Sequence, residues 1–123
     1  MKKVLKKILV IDDDKEILEV VKTILEDHHF EVVGLERSDD ILQLVEEHHP
    51  DLILTDYLLW GMNGGKICTV IKSHKTTSHI PVVLLTAYQD FAMSFGNFGF
   101  DAFLSKPFNI KTLLKTINDC LAA

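Results

Sequence analysis

Long apolar runs are missing from this chain, and so is any excess of positive charge. The first apolar stretch after the lysine-rich start, Ile8 to Ile11, is cut off by Asp12-Asp13-Asp14. A secretory h-region needs about 7–15 apolar residues, and a membrane-spanning helix about 20. Neither a signal peptide nor a membrane segment is expected, and a cytoplasmic location is. The formal net charge of -5 argues against nucleic acid as a partner, because phosphate backbones are met by clustered Lys and Arg. Cysteine is scarce too. Cys68 and Cys120 fall inside expected helices without metal-like spacing, which reads as buried small hydrophobes in a reducing compartment. Internal repeats and linkers are absent.

What is present is the composition of one ordinary globular domain. The 123 residues are 47% hydrophobic and 25% charged, a size at which about two-thirds of the unfolded surface is buried on folding. The stretch around which the rest is organised runs from Pro50 to Gly64. Its apolar run Leu52-Ile53-Leu54 ends in Thr55-Asp56 and then loop residues, as in a strand buried on both faces. Similar strands are expected at Ile8–Ile11, Phe30–Leu35, Pro81–Leu85 and Asp101–Ser105.

Helical periodicity fills the gaps between them. Ile17, Val21, Ile24 and Leu25 share one face of a first helix that Asp14 or its neighbour caps. Ser38 is expected to open a second, with Asp39 and Asp40 in its first turn and Ile41, Leu44 and Val45 facing inward. Ile67, Val70 and Ile71 mark a third. A short fourth is placed around Phe91 to Phe95, weakened by Gly96 and Gly99. A last helix is capped by Asn109, with Ile110, Leu113, Leu114, Ile117 and Leu121 on one face. The histidine pairs His28-His29 and His48-His49 close helices, where the dipole favours cations. Five strand–helix alternations predict a flavodoxin-like α/β fold: a doubly wound five-stranded parallel sheet, order 2-1-3-4-5, with five helices on both faces.

That topology brings Asp12, Asp13, Asp56, Thr86 and Lys106 to the carboxyl ends of four strands, hence to one rim. Carboxylates so crowded repel by about 4 kcal/mol per pair at roughly 4 Å and an effective dielectric near 20. Lys106 supplies one cation, and a hard divalent ion such as Mg²⁺ suits the remaining oxygen donors. An aspartate carboxylate is a covalent nucleophile toward phosphorus, and phosphoryl transfer asks the protein mainly to position and neutralise the transferred oxygens.

The motifs Ile8-Leu9-Val10-Ile11-Asp12-Asp13-Asp14, Pro50-Asp51-Leu52-Ile53-Leu54-Thr55-Asp56, Pro81-Val82-Val83-Leu84-Leu85-Thr86-Ala87 and Lys106-Pro107-Phe108, in this order, resemble response-regulator receiver domains of two-component signalling. The resemblance implies that Asp56 is the phosphoacceptor. It implies that Asp13 and Asp56 bind Mg²⁺ with the backbone carbonyl of Leu58, that Asp12 supports the metal through water, and that Thr86 and Lys106 hold the phosphoryl group. It also implies a cis Lys106-Pro107 bond and a switch coupling Thr86 to Phe103, read out on the face of the fourth helix, fifth strand and fifth helix. The implied partners are a sensor histidine kinase or histidine phosphotransfer protein, with a homodimer or effector on the switched face. The implied role is that of a signalling module, not an enzyme.

Some features depart from the family pattern. Trp60 stands where the family commonly has proline. Phe91, Phe95, Phe98 and Phe100 crowd one short segment, as core or as an apolar docking patch. Leu58 and Tyr88 lack a carboxylate or amide to orient an attacking water, so slow self-dephosphorylation is expected. No output domain is expected after the last helix.

Two rival readings stand beside the receiver. Asp12 and Asp14 after an apolar strand, with Thr86 and a lysine, partly mimic aspartate-nucleophile phosphatases of the haloacid dehalogenase type, although their late acidic pair is missing after Lys106. The other is an interaction module of this fold that works without phosphorylation.

Overall fold

The computed structural model describes residues 5–38, 40–56, 64–87 and 99–122. In chain order they form β1 (Lys7–Ile11), α1 (Lys15–Asp27), β2 (Glu31–Leu35), α2 (Ile41–His48), β3 (Leu52–Asp56), α3 (Gly64–Ser73), β4 (Val82–Thr86), β5 (Ala102–Ser105) and α4 (Ile110–Ala122). The five strands make one parallel sheet in the order β2-β1-β3-β4-β5, as expected. Four helices are found among the described residues. The helix placed around Phe91 to Phe95 lies outside them, so the C-terminal helix carries the label α4.

Alternation along the strands builds two cores. Ile8, Val10, Leu52, Leu54, Val83 and Leu85 face α1 and α4, meeting Val21, Leu25, Leu113 and Ile117. Leu9, Ile11, Ile53 and Val82 face α2 and α3, meeting Ile41, Val45, Ile67, Cys68 and Ile71. Successive side chains on a strand point to opposite faces, so a continuous apolar run is what a sheet covered on both sides requires. Every residue of β3 and β4 is buried. Cys68 sits in the second core, where burial pushes its thiol up to about 11, and Cys120 packs half-buried at the edge of the first.

Helix ends follow the expected chemistry with two corrections. Asp14 caps α1, its Oδ1 accepting from the amides of Glu16 and Ile17 at 3.0 and 3.3 Å. His28 closes that helix with Nδ1 2.8 Å from the carbonyl of Ile24, and His49 closes α2 in the left-handed conformation. The first correction concerns α2. Its cap is Asp40, whose Oδ1 accepts from the Gln43 amide at 3.1 Å, while Ser38 is buried two residues earlier in the loop. A charged cap gains from the helix dipole what a hydroxyl does not.

The second correction concerns α4. Asn109 caps it through the Thr112 amide at 2.7 Å, and Leu113 and Ile117 are fully buried. Ile110, however, is half exposed. The first turn of a helix that follows β5 starts above the strand ends, where no sheet backs it. There Ile110 joins Ile17, Val20, Ile24, Pro107 and Phe108 in an apolar groove between α1 and α4. Among the described residues no helix is long and apolar enough to cross a membrane.

Leu113→Ala should cost about 3 kcal/mol of unfolding free energy, the usual range for a leucine truncated in a close-packed core. Ile110→Ala should cost less than about 1 kcal/mol. Urea unfolding of the two variants checks the contrast, and equal losses would contradict the assignment of Ile110 to the surface.

Candidate functional site

The register of the sheet decides which groups meet. Ile11 pairs with Thr55 on β3, so the residues that follow, Asp12 and Asp56, leave the sheet side by side. Asp56 pairs with Leu85 on β4, and Thr86 pairs with Ser105 on β5. The ladder runs one step further, with the Lys106 amide donating to the Thr86 carbonyl at 2.9 Å. Lys106 therefore enters the rim from the far side of β4, and its bond to Pro107 is cis, as the resemblance implies.

The ammonium of Lys106 crosses that gap. Its Nζ lies 2.9 Å from Asp12 Oδ2 and 3.2 Å from Asp56 Oδ2, joining residues 94 and 50 positions away. Asp12 is held from two further sides: its amide donates to the Leu35 carbonyl at 3.0 Å, and its Oδ1 accepts from the Asp14 amide at 2.9 Å. The last contact is an Asx turn. The Asp-x-Asp spacing carried that signal, and the sequence reading used Asp14 only as a cap.

Burial differs sharply between the two carboxylates. The Asp12 side chain is 1% exposed, whereas that of Asp56 is 12% exposed. Burial lowers the Lys106 pKa, but the hydrogen bond to Asp12 and the charges of Asp56 and Asp12 outweigh it, and the value ends above the ordinary 10.5. The lysine is thus a fixed cation at neutral pH.

Asp12, Asp13 and Asp56 each offer a carboxylate oxygen, and these atoms all lie within 4.8 Å of one another. The donor set is all oxygen and anionic, which fits a hard divalent cation. Thr86 is fully buried at the end of β4. Phe103 is half-buried on β5, its ring edge-on to Phe100 with centroids 5.4 Å apart, and both pack against Leu84. Leu58, Trp60, Tyr88, Phe91, Phe95 and Phe98 lie outside the described residues. So do the expected metal-binding carbonyl of Leu58 and the lifetime expectation resting on Leu58 and Tyr88. Chemically, the site offers a partly accessible carboxylate beside a fixed cation, with Thr86 at the end of the neighbouring strand and a cluster of carboxylates that could hold a metal.

Comparison with known proteins points the same way. Residues 8–118 match the model of the response regulator receiver domain. The chain is 34% identical over 116 residues to Histidine kinase P4 of Formosa agariphila, covering 93% of this chain and 8% of that protein. It is 31% identical to the heme response regulator HssR of Staphylococcus saprophyticus, covering 92% of this chain and 50% of that protein. The chain thus spans half or less of the length of these curated relatives. Among solved structures, a response regulator receiver domain protein from Clostridium thermocellum superposes with a TM-score of 0.84 at 33% identity, over 96% of this chain and 95% of that one.

Lys106→Met should leave the buried Asp12 carboxylate unpaired and cost about 3 kcal/mol at neutral pH. Because the folded pKa of Lys106 is raised, its contribution is fully present below 10.5 and fades as pH rises through the raised value. Urea unfolding of wild type and variant should show a constant gap from about pH 7 to 9 that closes under more alkaline conditions. A gap that widens with alkali would contradict the pairing.

Proposed function

The chain belongs to the response regulator receiver domain family, and from that premise we propose that Asp56 is its phosphoacceptor. An oxygen of Asp56 attacks the phosphorus of a phosphohistidine on a sensor histidine kinase or histidine phosphotransfer protein. The P–N bond breaks, the imidazole leaves with the bonding electrons, and an aspartyl phosphate forms. The reading treats residues 1–123 as one receiver unit that assists its own modification and turns over no separate substrate.

The single observation that carries this reading is the Lys106 bridge to Asp12 and Asp56. It supports a role for Lys106 in pairing with a phosphoryl oxygen once Asp56 carries the group, because the cation is already at the acceptor. Thr86, one residue past the β4 position paired with Asp56, is the proposed hydroxyl donor. Asp12, Asp13 and Asp56 would hold Mg²⁺, with the Leu58 carbonyl as the further ligand implied by the family. When bound, that ion supplies positive charge to the transferred oxygens. Thr86 moving toward the phosphoryl group and Phe103 turning inward is the proposed switch, with effectors or a second copy reading the surface around β5 and α4. The balance between the two states shifts only by the difference in their contacts. The net charge of -5 supports partners other than nucleic acid.

The phosphatase reading would place the nucleophile on Asp12. Its burial, with both oxygens engaged, favours Asp56 instead.

Incubation with acetyl phosphate and Mg²⁺, followed by peptide mass mapping, tests the assignment. One phosphoryl group is expected on the peptide containing Asp56 and none on Asp56→Asn. A label on Asp12 would favour the phosphatase reading, and no label on wild type would favour a module that works without phosphorylation.

A further inference from the structure

Phe103 sits on a four-residue strand at the edge of the sheet, where among the described residues only β4 pairs with it. So short an edge strand depends on how its ends are held. One end is held at the functional rim, by the Lys106 amide on Thr86. The other end is held by a cluster that the sequence reading did not anticipate. The amide of Asp101 donates to the Val82 carbonyl at 2.8 Å, and its Oδ2 accepts from the Val82 amide at 2.8 Å. The same carboxylate oxygen lies 2.8 Å from Lys72 Nζ.

Lys72, in the last turn of α3, also donates to the carbonyls of Ile80 at 2.8 Å and Ser78 at 3.2 Å. One ammonium thus ties the end of α3, the loop into β4 and the entry to β5. Its side chain is 21% exposed, so these contacts are only partly screened by water. The backbone makes room for it: Gly99 has φ +91, and a Cβ there would stand 3.3 Å from Lys72 Cγ.

We propose that Lys72 is a positioning residue of the switch, fixing the entry of β5 through Asp101 so that movement at Thr86 is delivered to Phe103. The inference rests on the receiver reading and adds a part to it. With the entry pinned, a pull at the rim turns β5 about a fixed point. Without the pin, the same pull is absorbed by a strand that shifts at both ends. Lys72 holds Ser78, Ile80 and Asp101 and not Asp12, Asp56 or Lys106, so its loss should separate signal reception from signal delivery.

The experiment compares wild type with Lys72→Met, Lys72→Arg and Asp101→Asn. Phosphorylation by acetyl phosphate is followed alongside amide hydrogen exchange over residues 102–105, with and without beryllofluoride and Mg²⁺. Lys72→Met and Asp101→Asn should be phosphorylated within about twofold of the wild-type rate. The beryllofluoride-induced change in exchange across β5 should shrink at least about threefold. Lys72→Arg, which retains charge and donors, should restore it. A full exchange response in Lys72→Met overturns the proposal, as does a phosphorylation rate that falls in parallel with the response. Wild type failing to respond to beryllofluoride would strike first at the phosphoacceptor reading and take this proposal with it.

Discussion

One ammonium group governs the functional end of this sheet. Four parallel strands deliver carboxylates from β1 and β3, a hydroxyl from β4 and a lysine from β5 to one rim. Asp12 is almost completely buried beside Asp56, an arrangement whose self-repulsion must be answered by a cation. Lys106 provides it, 2.9 Å from Asp12 and 3.2 Å from Asp56. The same bridge sets the surroundings of Asp56, the proposed acceptor, since a group that balances its carboxylate is equally placed to balance the oxygens of a phosphoryl group. Preorganised charge of this kind is the main thing a protein contributes to phosphoryl transfer.

The opposite end of the sheet is organised by different means. There, helices end rather than begin, and His28 and His49 close α1 and α2. Lys72 gathers the carbonyls of Ser78 and Ile80 and the carboxylate of Asp101. Chemistry is thus concentrated at the carboxyl ends of the strands, where crevices of doubly wound folds form, and anchoring at the amino ends. β5 touches both, because Lys106 leaves one end and Asp101 enters the other. The edge strand is therefore held at both ends, by the rim on one side and by Asp101 on the other.

Much of this was legible in the sequence, for identifiable reasons. β1, β3 and β4 declare themselves because a strand covered on both faces must be apolar throughout, and Leu52-Ile53-Leu54 and Val82-Val83-Leu84-Leu85 are. Once the alternation fixes the topology, Asp12, Asp56 and Lys106 must share a rim, and they do. Periodicity could not say where the sheet stops backing a helix, so Ile110 was placed on one apolar face with the buried Leu113 and Ile117. Nor could it rank two capping residues in one loop, so Ser38 was preferred to Asp40. Lys72 was invisible for a deeper reason. A lysine in the last turn of a helix already has an adequate local explanation in the dipole, and only tertiary structure reveals the distant carboxylate it holds.

The claim on which the account turns is that Asp12, Asp13 and Asp56 act as a single oxygen site beside Lys106. Carboxyl-selective ¹³C NMR during a Mg²⁺ titration measures this directly. The account predicts that the side-chain carboxyl signals of these three residues move together and saturate at one equivalent, while surface carboxylates such as Asp119 stay in place. Shifts scattered over many carboxylates without saturation, or a saturating site that leaves Asp56 unmoved, would contradict it.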